Sequence, residues 1–160
     1  MPRILAAAAA SVGLAACVAQ PDMRPASSDR PAASAAQPST LVGTRWQLLE
    51  LRSPDGAIGT VRPADPSRYL LEFAADGGAA LRLDCNRGRG RYEATPTGPG
   101  RGTLRFGPIA ATRAMCPPGS LDARLGRELS VVRTYVLSGE ELRLEMGGDG
   151  GQQIWRRIPG

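Results

Sequence analysis

The sequence contains neither histidine nor lysine, so all 20 of its basic residues are arginines. That absence excludes a Ser-His-Asp triad, a Cys-His pair, a His-ligated zinc, a Schiff-base lysine and a phosphate-loop lysine. Aromatic residues make up only 4% of the chain, too few to interleave with the arginines as base-stacking platforms, and nucleic acid is not an expected partner. No apolar run is long enough to span a bilayer; the longest, residues 4–16, falls short of the twenty or so residues a spanning helix needs. What is plentiful is glycine (20) and proline (14), which favour short strands and many turns over long helices.

The apolar run follows Arg3 and ends in Leu14-Ala15-Ala16-Cys17. One early positive charge, a short apolar stretch and small residues before a cysteine form the pattern of a signal peptide over residues 1–16, and its end resembles the bacterial lipobox. Cys17 is then the acylated N-terminus of the mature chain, attaching it to a membrane. Val18 stands where an aspartate would favour inner-membrane retention, so the expected location is the outer membrane, facing the periplasm. Residues 17–40 are mostly Ala, Pro, Ser and Gln and read as a disordered tether. The folded domain is expected over residues 41–160. Three of the 20 arginines and two of the 15 acids precede Leu41, which leaves the domain with 17 against 13 and a basic surface able to attract anionic partners.

Cysteine arithmetic agrees with export. If Cys17 carries a lipid, Cys85 and Cys116 remain as an even pair in a compartment that permits disulfides. Leu81, Leu83 and Cys85 alternate with Arg82 and Asp84, the period of a half-buried strand, so Cys85 is expected to point inward and Asp84 outward as a solvated charge. The two cysteines lie in no Cys-x-x-Cys motif and no histidine exists to activate them, so they read as a structural bridge and not as redox thiols.

Similar alternation marks other strands: Trp46, Leu48 and Leu51; Tyr69, Leu71 and Phe73; Leu104 and Phe106; Leu142, Leu144 and Met146. Asp76-Gly77-Gly78 and Ser138-Gly139-Glu140 read as hairpin turns. One helix is expected, N-capped by Ser120, with Leu121, Leu125, Leu129 and Val132 on its buried face and Gly126 marking close backbone packing. Asn86-Arg87-Gly88-Arg89-Gly90-Arg91 reads as a glycine-bearing turn. Asn86, Arg87, Arg89 and Arg91 are thus candidates for an anion-binding turn, although Asn86 and Gly90 also have an ordinary turn-forming role. No metal-ligand or cofactor pattern is found. Several strands, one helix and then three strands make an α+β domain in which a curled, barrel-like antiparallel sheet packs around one main helix.

The motifs Leu41-x-Gly43-Thr44-x-Trp46-x-Leu48, Phe73-x-x-Asp76-Gly77, Cys85-Asn86-x-x-x-Gly90-x-Tyr92, Leu104-x-Phe106-Gly107-Pro108-Ile109-Ala110-x-Thr112-Arg113-x-x-Cys116-Pro117 and Leu142-x-Leu144 occur in this order. Together they resemble the META domain, or HslJ-like, family of small bacterial envelope proteins, often lipoproteins, some named for heat-shock induction. The resemblance implies a barrel-like antiparallel sheet with a helix, and it brings no catalytic residues. The sequence is therefore read as a non-enzymatic binding, assembly or stress-protection module of the cell envelope, whose partner is an envelope protein or a hydrophobic ligand. The alternatives are an inhibitor of an exported hydrolase and a carrier of a small hydrophobic ligand.

Overall fold

Antiparallel pairing from strand to strand turns the alternating segments into a closed ring. The computed structural model describes residues 40–54, 59–148 and 150–160; the expected signal peptide, Cys17 and the expected tether up to residue 39 lie outside the described residues. The strands are β1 (Thr44–Arg52), β2 (Thr60–Val61), β3 (Tyr69–Phe73), β4 (Gly78–Leu83), β5 (Asn86–Gly98), β6 (Arg101–Phe106), β7 (Ala110–Ala111), β8 (Val132–Ser138), β9 (Glu141–Met146) and β10 (Gln152–Ile158), with helix α1 (Asp122–Ser130) between β7 and β8. The order β10-β9-β8-β6-β5-β4-β3-β1 closes by pairing β1 with β10, giving an eight-stranded barrel. The two-residue strands β2 and β7 sit outside the ring, on β1 and β5 respectively.

An eight-stranded barrel is just wide enough for its inward side chains to fill it. Here Trp46, Leu48, Leu71, Phe73, Leu104, Tyr135, Leu142, Leu144 and Trp155 are almost completely buried. The Phe73 and Tyr92 rings meet edge to face at 4.8 Å, a favoured aromatic geometry. Each buried indole N–H finds an acceptor in its own strand: Trp46 donates to Thr44 Oγ1 at 2.7 Å and Trp155 to Gln153 Oε1 at 3.3 Å. In β1 the register shifts between Leu48 and Glu50. This bulge explains why Trp46, Leu48 and Leu51 all face inward despite a spacing of two and then three.

The helix spans nine residues and ends before Val132, which is already the first residue of β8. Ser120 Oγ accepts the Asp122 N–H at 3.3 Å, although Leu121 occupies the capping position. Leu125 and Leu129 are fully buried and join the barrel core, so α1 covers the end of the ring where β4 stops and β5 and β8 begin. Gln153 Nε2 donates to Glu128 Oε2 at 3.1 Å, fastening α1 to β10.

Three expectations are corrected. Strand β4 stops at Leu83, and Asp84-Cys85 forms a two-residue turn into β5, with Asp84 at φ 59°. The turn ends the alternation, so Asp84 is buried and Cys85 is exposed. Residues 86–91 are the start of a 13-residue strand and not a turn, because β4 and β7 take up the backbone groups that a turn would have exposed. Past β7 the Thr112 N–H still reaches Arg87 O at 3.0 Å, and from there Asn86 takes up the chain through Ala114. Gly126 does not mark close packing: a Cβ built there meets nothing within 4 Å.

Candidate functional site

The segment joining β7 to α1 has little regular structure of its own, and one side chain binds it at several points. Asn86, the first residue of β5, is 3% exposed. Its Oδ1 accepts from Thr112 Oγ1 at 2.9 Å and from the Ala114 N–H at 2.8 Å. Its Nδ2 donates to Ala114 O at 3.1 Å, to Asp122 Oδ2 at 3.0 Å and towards Cys116 Sγ at 3.3 Å. A carboxamide is required for this, since only it presents donors and an acceptor on one short stem. Asn86 thereby ties β5, residues 112–116 and the first turn of α1 into one unit.

The disulfide between Cys85 and Cys116 lies beside this hub, with Cα atoms 5.5 Å apart. It clamps the surface at the helix end of the barrel, outside the leucine-lined interior. Asp84, next in the turn, accepts from the Tyr69 hydroxyl at 3.2 Å and pairs with the Arg68 guanidinium. The Tyr69 hydroxyl in turn accepts the Leu121 N–H at 3.0 Å. Three successive residues, Asp84, Cys85 and Asn86, thus each hold the approach to α1 by a different bond.

Between this pinned segment and α1 runs an open cleft of about 540 Å³, with Leu83, Asn86 and Ile109 against Ala123, Gly126 and Arg127. It exists because β6 pairs with β8 only over Arg101–Thr103. Beyond that point β6 keeps its bonds to β5 alone, and β7 takes over the β5 edge without reaching β8. Gly88, facing inward, leaves room for Ile109, whose Cγ2 lies 3.0 Å from where a Cβ would stand. The cleft polar groups are amide, hydroxyl, guanidinium and one carboxylate. Groups displaced from their ordinary ionisation lie elsewhere: burial raises the Tyr92 and Tyr135 phenols, and Asp65 is lowered chiefly by the Ser67 hydroxyl.

Arg87, Arg89 and Arg91 project from the outer face of β5 while Gly88 and Gly90 face in. They do not gather around exposed backbone N–H groups, and Asn86 is turned away from them into its hub. The anion-binding turn is therefore replaced by a row of exposed arginines on a strand. Arg91 Nη2 is already engaged, donating to Asp76 O at 2.8 Å. Among the described residues no three His, Cys, Asp or Glu side chains group as a metal site. The hub and cleft were not foreseen from sequence; the one signal for them was an asparagine directly following a cysteine.

No curated protein matches the chain. Among solved structures, the NMR structure of a protein from Burkholderia xenovorans is similar in fold, with a TM-score of 0.62 at 20% identity, over 75% of this chain and 85% of that one. A DUF4847 family protein from Bacteroides vulgatus gives a TM-score of 0.49 at 14% identity, over 71% of this chain and 92% of that one. The META domain family model matches residues 39–156, from just before β1 into β10. The chain belongs to the META domain family.

Proposed function

We propose that this protein is a non-enzymatic binding or assembly module of the bacterial envelope, exported, lipid-anchored through Cys17 to the outer membrane, and facing the periplasm. The observation that carries the binding part is the cleft between α1 and residues 109–114. It is walled on one side by β7, whose Ala110 and Ala111 pair with β5 along one edge and, among the described residues, with no strand along the other. A free strand edge beside a helix accepts an extended segment of a partner protein through main-chain hydrogen bonds. The disulfide and Asn86 hold both walls in advance, which lowers the ordering cost of binding. Side chains occupy the barrel interior, which favours a protein partner over a buried hydrophobic ligand.

The test is site-specific photocrosslinking in intact cells from Ala123, on the cleft wall, and from Glu93, on the distant outer face of β5. Recurrent capture of one envelope protein from Ala123 alone, lost when Gly126 is changed to Trp, supports the reading. Capture of nothing, or of the same set from both positions, overturns it. Export and anchoring are checked separately by acyl labelling of Cys17 and its loss in Cys17→Ser.

A further inference from the structure

We propose that the outer face of β3–β5 is a docking surface for the anionic phospholipid headgroups of a membrane. The proposal adds a second surface to the envelope reading above and rests on it for the nearness of a bilayer. Arg82 of β4 stands directly opposite Arg87 of β5, with Arg89 one outward position further along the same strand. Like charges directly opposed across an antiparallel pair are destabilising unless something neutralises them. Among the described residues no carboxylate comes within 4.0 Å of Arg82, Arg87 or Arg89. Asp65 feels Arg82 only as the weakest of its influences. Of the outward carboxylates on β3 and β5, Glu72 already pairs with Arg45 at 3.6 Å, and Glu93 stands two outward positions beyond Arg89, opposite Arg105 of β6.

The face is also shaped. A shallow groove of about 300 Å³ runs along it, with Leu70 and Ala80 among its lining and the arginines at its sides. Ala80 lies between Glu72 and Arg89 in register, so a small side chain lets the long ones lean over it. Guanidinium groups present forked donors that match phosphate oxygens in pairs, and they are less strongly hydrated than ammonium groups. Three of them without counter-charges, beside an apolar strip, suit a phosphodiester headgroup with the start of its acyl region. With the proposed anchor at Cys17 the headgroups are tethered to the same molecule, so a weak attraction is enough.

The test uses the mature-length chain carrying Cys17→Ser, so that no acyl group contributes. Its sedimentation with phosphatidylglycerol-rich vesicles is compared with pure phosphatidylcholine vesicles, at low and physiological salt. Each headgroup-facing arginine contributes roughly fivefold in membrane affinity, so Arg82→Gln/Arg87→Gln/Arg89→Gln should weaken binding about a hundredfold. A control with equal charge loss, Arg101→Gln/Arg105→Gln/Arg156→Gln, should weaken it far less. Equal losses in the two triples, or no preference for the anionic vesicles, would overturn the proposal. So would stronger competition by single-stranded DNA or inorganic phosphate than by phosphatidylglycerol vesicles. Because the anchor is absent, these outcomes leave the lipidation of Cys17 untouched; that stands or falls on acyl labelling.

Discussion

Replacing Asn86 by Asp changes one donor group into an acceptor and keeps the shape, so it isolates what the carboxamide does. In the native protein Asn86 Nδ2 faces Asp122 Oδ2 at 3.0 Å and Ala114 O at 3.1 Å. The introduced carboxylate would face both acceptors with no donor between them. Two charges about 3 Å apart repel by about 5 kcal/mol at an effective dielectric constant of 20. The pair can instead take up one proton, and at pH 7 that costs about 4 kcal/mol for a group with an ordinary value near 3.9, which caps the electrostatic part.

The sign follows from linkage. In the variant the folded state binds a proton more tightly than the unfolded state, because the carboxyl pair is raised above its unfolded value. The penalty is therefore full above the raised value and shrinks as pH falls towards 4. We expect Asn86→Asp to lose about 3–5 kcal/mol at pH 7, and its gap from the native protein to narrow by about 2–4 kcal/mol at pH 4. Asn86→Ala, which carries no charge, should lose about 2–3 kcal/mol at both. Urea denaturation followed by the fluorescence of Trp46 and Trp155, both fully buried, reads these differences as midpoint shifts at constant m. A variant gap that does not change with pH, or an Asp variant no worse than the Ala one, would refute the assignment of Nδ2 to Asp122.

Further outcomes follow from the same structure. Cys85→Ser/Cys116→Ser opens a loop with a sequence separation of 31 and should lower stability by about 3.5–4 kcal/mol in the chain-entropy model, read by denaturation with and without reductant. Gly126→Ala meets open space and should raise stability by up to about 1 kcal/mol, seen as a higher Tm. Gly102→Ala places a Cβ 2.3 Å from Thr95 O and 2.7 Å from the Tyr135 ring, so it should cost about 2 kcal/mol or more, measured by urea midpoint. Tyr69→Phe leaves the Leu121 N–H and Asp84 short of a partner and should cost about 1–3 kcal/mol, with faster amide exchange at Leu121.

Much of the barrel was readable from residues alone. Tyr69, Leu71 and Phe73, like Leu142 and Leu144, face the core as their alternation says, since a strand with one wet face has no other way to hide them. Leu125 and Leu129 likewise declare the buried side of α1. The phase of the chain after Leu83 was not readable, because a two-residue turn resets which side is inward. Asp84 and Cys85 consequently exchanged their expected places. Gly88 and Gly90 looked like turn residues for a similar reason: nothing local tells a glycine that bends the chain from one that makes room for Ile109.

The sequence by itself determined the alphabet of this protein's chemistry, an all-arginine basic set without histidine or lysine, together with the family and the inward faces of β3, β9 and α1. The basic set follows from composition, the faces from period and the family from the resemblance of motifs in order, none of which depends on what lies across the barrel. Only the tertiary structure decided that Asn86 is a buried hub, that an open cleft lies beside α1, and that Arg82, Arg87 and Arg89 share one unneutralised face. Each of these is a relation between segments brought together by ring closure, and register across strands is set by the whole core, beyond the reach of any short stretch of chain.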